Sequence, residues 1–254
     1  PSRHRSRILI EVDGLTKLYG QAILAVDRLT FRVEPGEVLG LVGPNGAGKT
    51  TTLRAISGII PPTSGTIRIA GFDLARQPIE AKRSLAFIPD EPHLFEYLTV
   101  EEHLRFVGRL YRVPDAPERI GPLLGELELV DKRSALPAEL SRGMKQKLAI
   151  ACGLLHDPKA VFFDEPLTGL DPVGIRRMKE TIRRRAQLGS AVILSSHLLH
   201  MVEEVCTRVL IIQHGRLVAL GTIQEIISHR HDLAGLPLEE VFIALTGNTE
   251  PPRS

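Results

Sequence analysis

Short runs of consecutive apolar residues alternate along this chain with stretches of helical periodicity. The apolar runs occupy residues 38–42, 160–163, 191–194 and 209–212. Helical periodicity occupies about 49–57, 172–187 and 198–206. Strands that are apolar at every position are typical of a sheet buried on both faces. Because such strands alternate here with helices, the pattern predicts an α/β fold with a largely parallel sheet.

Two other regions depart from this alternation. Residues 8–13, 22–33 and 66–69 indicate strands without intervening helices and predict an antiparallel β subdomain. Residues 96–156 show helical periodicity broken by Pro114, Pro117, Pro122 and Pro137, and predict a helical subdomain. The predicted division is a core at 8–90 and 157–221, a helical subdomain at 91–156, a helical tail at 222–247, and flexible ends at 1–7 and 248–254.

Composition narrows the class of protein. The 254 residues include 32 basic and 30 acidic side chains, a balance that requires no nucleic acid or acidic lipid surface. The one basic run in the body, between Arg176 and Arg185, has apolar residues at helical spacing and no aromatic residues, so we interpret it as a solvated helix face. No apolar run approaches the length of a membrane span, and no signal peptide is visible.

A glycine-rich loop follows the apolar run at 38–42 and precedes a predicted helix. It fits the phosphate-loop pattern G-x-x-x-x-G-K-[ST] in the context that this motif requires. Glycines let backbone amides surround phosphate oxygens, and the helix N-terminus adds its positive end. Lys49 supplies a cation for the β- and γ-phosphates, and Thr50 a hydroxyl ligand for Mg²⁺. The predicted ATP-binding residues of the loop are Gly43, Pro44, Asn45, Gly46, Ala47, Gly48, Lys49, Thr50 and Thr51.

Two acids close the apolar run at 160–163. Ligands bind at the carboxyl ends of parallel strands, so Asp164 and Glu165 are expected beside the phosphate loop. We predict that Asp164 supports the Mg²⁺ shell and that Glu165 polarises the water that attacks the γ-phosphate. Together with the loop, the pair indicates a phosphate-loop NTPase core.

Further motifs resemble the ABC ATPase family over nearly the whole chain. Leu140-Ser141-Arg142-Gly143-Met144-Lys145-Gln146 resembles its signature motif, usually written LSGGQ, and Ser141 is a good helix N-cap. Residues 168–172 resemble the D-loop, and Ser196-His197 the switch histidine. The resemblance implies that His197 contacts the γ-phosphate and that Tyr19 stacks on adenine. It also implies that Ser141, Arg142, Gly143, Met144 and Asp171 face ATP held by a partner subunit.

Two positions depart from the family pattern. Asp90 stands where the family usually places a glutamine that reaches Mg²⁺, so the predicted metal ligands are Thr50, Asp90 and Asp164. Arg142 adds a cation where the partner's nucleotide is expected. Both departures, and the ending at 238–247, resemble exporter-type ATPases that pair with a separate permease, including antibiotic- and sodium-efflux systems.

The resemblance implies an ATPase that uses ATP and Mg²⁺ and works as a head-to-tail homodimer or pseudo-dimer. Such a subunit would lie peripherally on the cytoplasmic face of a membrane, with no nucleic acid partner. The loop 90–100, with Phe95, Tyr97 and Leu98, is the expected docking surface for the permease, although these residues could instead be buried in the helical subdomain. An importer ATPase is the nearest alternative, and a soluble ABC ATPase is the next. A kinase would lack the 140–146 motif and His197.

Overall fold

The computed structural model describes residues 8–20, 22–168, 170–228 and 235–247. The strands are β1 (Ile10–Tyr19), β2 (Ile23–Val33), β3 (Val38–Val42), β4 (Ser64–Ile69), β5 (Phe72–Asp73), β6 (Leu85–Ile88), β7 (Ala160–Asp164), β8 (Ala191–Ser195), β9 (Arg208–Gln213) and β10 (Arg216–Gly221). The helices are α1 (Lys49–Ile56), α2 (Pro78–Arg83), α3 (Val100–Leu110), α4 (Ala116–Glu126), α5 (Arg142–Leu154), α6 (Pro172–Gln187), α7 (Leu199–Val205), α8 (Ile223–Ser228) and α9 (Leu238–Thr246).

A six-stranded sheet organises the molecule in the order β10-β9-β3-β8-β7-β6. All its neighbouring strands are parallel except β9 and β10, which form a hairpin. His214 and Gly215 make the hairpin turn, both with positive φ, as a tight two-residue turn requires. The prediction of an α/β fold with a largely parallel sheet is therefore confirmed.

The second sheet is antiparallel and has the order β2-β1-β4-β5. Its first strand is longer than the predicted 8–13, because it continues to Tyr19 after irregularities in register that begin between Val12 and Leu15. Gly14 has a φ of 62°, in the left-handed region, and takes up the first of these irregularities. The predicted strand ends at residue 13, where the stretch rich in Ile, Leu and Val ends.

Alternate side chains of the central strands enter different cores. In β7, Val161 and Phe163 pack with the helices at 100–154, whereas Phe162 packs on the side of α1 and the antiparallel sheet. Val192 and Ile193 of β8 divide in the same way. Successive side chains of a strand point to opposite faces, so both faces of the sheet must be covered, which explains the unbroken apolar runs.

The helical subdomain was predicted as helical, but one of its predicted breaks is wrong. Pro122 lies inside α4 and does not end it. The sequence pattern does not predict α2 or β6, although β6 is an edge strand of the central sheet. The basic run on α6 is only partly solvated, because Lys179 pairs with Glu204, and Arg185, which is buried, pairs with Glu126.

The tail contains α8 and α9, and both lie within the predicted helical tail at 222–247. The predicted flexible ends lie outside the described residues. No helix in the described ranges is long and apolar enough to cross a bilayer.

Candidate active site

The glycine-rich loop connects the end of β3 to the start of α1. Gly48 has a φ of 103°, and a Cβ atom there would lie 2.4 Å from the carbonyl oxygen of Ala25. A Cβ atom on Gly43 would lie 2.4 Å from the carbonyl oxygen of Ile212. Only glycine fits at these two positions, so neighbouring strands determine the shape of the loop.

Lys49 is the first residue of α1, and its side chain folds back over the loop. Its Nζ donates to the carbonyl oxygens of Gly43, at 2.8 Å, and Pro44, at 3.3 Å. Burial lowers the pKa of Lys49, while the charges of Glu165 and Asp164 act in the opposite direction. The result is a buried cation held against two carbonyl oxygens of the glycine-rich loop.

Two hydroxyl groups converge on the carboxylate of Asp164 at the end of β7. Thr50 Oγ1 donates to Asp164 Oδ1 at 3.2 Å, and Ser195 Oγ donates to the same oxygen at 2.7 Å. Asp164 and Ser195 are buried. A carboxylate and a threonine hydroxyl are hard oxygen donors of the kind that Mg²⁺ prefers, so the donor set fits this metal.

Glu165 adopts a strained backbone conformation, with a φ of 49°. Its N–H donates to Ser195 Oγ at 3.0 Å, which fixes the peptide. Its Oε2 lies 2.9 Å from His197 Nδ1 and 3.3 Å from the backbone nitrogen of His197. The structure therefore brings the predicted base and the predicted switch histidine into direct contact within one chain.

A cavity of about 710 Å³ extends from this site towards the helical subdomain. Thr50, Asp90 and Asp164, the three predicted metal ligands, all line it. Asp90 Oδ1 also lies 3.4 Å from Arg142 Nη2. The two positions that depart from the family pattern are therefore in contact, which the sequence did not reveal.

The signature-like segment begins α5. Ser141 is its N-cap and accepts a hydrogen bond from the backbone nitrogen of Met144 at 3.3 Å, as predicted. Gly143 faces Leu170, from the D-loop-like segment, and Asp171 caps α6 by accepting from the backbone nitrogen of Gly174 at 2.8 Å. Among the described residues, no hydrogen bond joins Ser141, Gly143 or Asp171 to Lys49, Asp164 or Glu165. Their predicted contact with a partner's nucleotide remains a prediction.

Tyr19 stands at the end of β1, and its ring is exposed. Lys17 Nζ lies 5.2 Å from the centre of this ring. An exposed aromatic face next to a cation can accept a planar ring by stacking, but the structure itself leaves the adenine contact a prediction.

Sequence reasoning missed two residues that hold this site together. Ser195 contacts both acids, and its signal was a polar side chain in the last position of an otherwise apolar strand. Gln146 donates from Nε2 to the carbonyl oxygen of Pro89 at 3.1 Å and joins α5 to the segment that carries Asp90. The sequence identifies Gln146 only as the last residue of the signature-like motif at 140–146.

Comparisons with known proteins agree on one family. A family model described as "ABC transporter" matches residues 26–168. A "Nod factor export ATP-binding protein I" of Paraburkholderia xenovorans is 39% identical over 92% of this chain and 76% of the relative. A "Linearmycin resistance ATP-binding protein LnrL" of Bacillus subtilis is 34% identical over 84% of this chain and 69% of the relative. A solved structure described as an "ATP binding subunit of ABC transporter" superposes with a TM-score of 0.88, is 39% identical, and covers 94% of this chain and 99% of its own.

Proposed function

Because the chain belongs to the ABC transporter family as an ATP-binding subunit, we propose that it hydrolyses ATP between two subunits to drive export through a separate permease. The observation that carries the proposal is the cluster in which Lys49, Asp164 and Glu165 surround the glycine-rich loop at the carboxyl ends of β3 and β7. Relatives described as Nod factor export ATP-binding proteins support the direction of transport.

In this proposal the residues from Gly43 to Thr51 hold the phosphates of ATP through backbone amides and the Lys49 cation. Thr50, Asp90 and Asp164 would hold Mg²⁺, which neutralises phosphate charge when it is bound. Asp164 Oδ1 already accepts from Thr50 and Ser195, so its other oxygen remains for the ion. Tyr19 would stack on adenine at the exposed end of β1.

Glu165 is the proposed general base. It accepts a proton from a water molecule whose oxygen forms a bond to the γ-phosphorus, while the bond to the β–γ bridging oxygen breaks and ADP leaves. His197 holds the carboxylate through Oε2, which leaves Oε1 for the water. Ser195 Oγ accepts a hydrogen bond from the backbone N–H of Glu165 and therefore positions the base.

Each subunit would complete the site of the other. The N-terminus of α5, with Ser141, Arg142, Gly143 and Met144, offers helix-end amides and a cation to the γ-phosphate held by the partner. Leu170, the neighbour of Asp171 in the chain, lies against Gly143 of this segment, so Asp171 would approach the same nucleotide. The Arg142 side chain is 57% exposed and is paired with Asp90, so it can reach outward once that pair opens.

The proposed permease contact is an aromatic surface at the outer edge of the cavity. Tyr97 is 89% exposed, and Phe95 and Phe106 are exposed and pack edge to face with ring centres 5.2 Å apart. His103 Nε2 accepts from the backbone nitrogen of Phe95 at 3.0 Å, which ties the loop at Phe95 to α3. Exposed aromatic clusters mark interaction surfaces, and a permease contact here would place the subunit peripherally on the cytoplasmic face of a membrane.

The first test is phosphate release by the purified chain with Mg-ATP over a range of protein concentrations. For a site shared between subunits, the specific rate rises with concentration. The Glu165→Gln variant is expected to be inactive and to accumulate as an ATP-bound dimer. Glu118→Gln, at an exposed carboxylate on α4, is the matched control. An active Glu165→Gln variant, or a specific rate independent of concentration, would contradict the proposal.

The second test concerns the permease contact. We expect the Tyr97→Ser chain, produced in its native host, to be recovered from the membrane fraction less than the wild type. Leu188→Ser, at another exposed apolar side chain, is the control. Equal membrane recovery of both variants would contradict docking at Tyr97.

The direction of transport is tested separately. Accumulation of substrate in right-side-out vesicles supplied internally with ATP would favour the importer alternative.

A further inference from the structure

Asp90 and Arg142 are 52 positions apart in the chain and form an ion pair, with Oδ1 and Nη2 separated by 3.4 Å. The side chain of Arg142 is 57% exposed and that of Asp90 is 39% exposed. Exposed pairs of this kind are weak and open to competition from ions and ligands. The contact is therefore one that a charged ligand can break.

A second contact keeps the two partners close together when the pair is broken. Gln146 is one helical turn after Arg142 on α5, and its Nε2 donates to the carbonyl oxygen of Pro89. Gln146 is only 5% exposed. Because residues 142 and 146 share one face of α5 and contact residues 89 and 90, the start of α5 stays aligned on this loop whichever charge Arg142 contacts.

The two partners face different ligands. Asp90 lines the same cavity as Thr50 and Asp164, which have the donor set for a divalent cation. Arg142 lies at the first position of α5, whose N-terminus is exposed. A cation in the cavity attracts the Asp90 carboxylate, and an anion in front of α5 attracts the Arg142 guanidinium.

We propose that the Asp90–Arg142 ion pair is a switch that links the two nucleotide sites of a dimer of this chain. The inference rests on the proposed function. Mg-ATP at a subunit's own loop draws Asp90 away, and the released Arg142 binds the γ-phosphate held by the partner subunit. In the absence of the cation, Asp90 competes with that phosphate for Arg142. Coupling of this kind is reciprocal, so a closed dimer also strengthens the binding of the cation.

The size of the effect follows from the exposure of the pair. Exposed ion pairs change an equilibrium by about two- to five-fold. A symmetric dimer contains two such pairs, so removing the Asp90 charge is expected to tighten the metal-free dimer by about four- to twenty-five-fold.

The test measures dimer dissociation constants by sedimentation velocity in the Glu165→Gln background, with ATP and either EDTA or Mg²⁺. The variants are Asp90→Asn, Arg142→Gln and the double variant. Lys147→Gln, which removes a cation from the same helix as Arg142 and with it the ion pair to Glu128, is the matched control. We expect Asp90→Asn to tighten the dimer in EDTA when Arg142 is present. In the Arg142→Gln background the same substitution should have no such effect.

Three results would overturn the proposal. If Asp90→Asn changes the dimer equally with and without Arg142, Asp90 acts only on its own nucleotide. If Lys147→Gln reproduces the effect, any lost surface charge suffices. If the background variant forms no ATP-dependent dimer under either condition, the proposed shared site fails and the switch fails with it. The first two results leave the shared site intact, so the two failures can be told apart.

Discussion

The hydroxyl of Ser195 connects both acids of the candidate site, and its removal should affect stability and turnover together. Ser195 is fully buried, accepts from the backbone nitrogen of Glu165 at 3.0 Å and donates to Asp164 at 2.7 Å. In Ser195→Ala, a buried N–H loses its acceptor, at about 1–3 kcal/mol, and a carboxylate loses a hydrogen bond worth about 1.5–3 kcal/mol. With partial relaxation we expect a total loss of about 2–4 kcal/mol in the free energy of unfolding.

The same substitution releases the backbone of Glu165. A residue with a φ of 49° is held in a conformation that costs about 1–2 kcal/mol, and Ser195 is part of what holds it. Because a displaced base loses alignment with its water, kcat for phosphate release should fall by about ten- to hundred-fold.

Ser196→Ala is the matched control for this prediction. Ser196 is also buried, but among the described residues its hydroxyl has one hydrogen bond, which it accepts from the backbone nitrogen of Leu198 at 3.0 Å. We expect a loss of about 1 kcal/mol and a nearly unchanged kcat. Urea unfolding without nucleotide gives the stabilities, and initial rates at saturating Mg-ATP give kcat. If the two variants match in both measurements, the argument for Ser195 as a positioning residue is refuted.

Two further substitutions test separate parts of the structure. At Gly48 the φ is 103° and an added Cβ would lie 2.4 Å from a backbone oxygen, whereas at Gly46 the φ is 79° and the space is open. We expect Gly48→Ala to lower the free energy of unfolding by at least about 3 kcal/mol and Gly46→Ala to lower it by about 1–2 kcal/mol. Equal losses would contradict the steric argument. The Arg133 and Arg105 guanidinium groups lower the pKa of Glu101 from 4.5 to about 2, so its stabilising contribution is present above about pH 4.5 and is lost as pH falls towards 2. The difference in unfolding free energy between the wild type and Glu101→Gln should therefore narrow over that interval, and a difference independent of pH would show that Glu101 acts through packing rather than charge.

The sequence predicted the parts of the fold whose cause is local. Strands buried on both faces must be apolar throughout, so β3, β7, β8 and β9 were visible, as was the loop between β3 and α1. Four residues, Leu85–Ile88, are too few to distinguish a strand from a helix turn, and β6 was omitted. Proline usually interrupts a helix, so the sequence predicts a break at Pro122, whereas α4 accommodates this residue.

The candidate site likewise contains residues that the sequence predicts and contacts between residues that it does not predict. Lys49, Thr50, Asp164 and Glu165 follow from motifs at the ends of predicted strands, and the structure brings them together. The contact of Glu165 with His197, and that of Asp90 with Arg142, join residues 32 and 52 positions apart. Such pairings depend on how elements pack, so no local pattern encodes them. The family roles of Tyr19, Ser141 and Asp171 stay predictions.

The place of β3 in the central sheet has a consequence for the order in which the protein is made. Its neighbours are β8 and β9, which come from the last third of the chain, and Gly215 donates to the loop residue Ala47 at 2.9 Å. A chain emerging from the ribosome therefore exposes an apolar strand and an unsupported glycine-rich loop until residues 191–215 have been synthesised. A nascent chain truncated before residue 215 would lack a formed nucleotide site, and competence to bind ATP would arise only after residues 191–215 have left the ribosome.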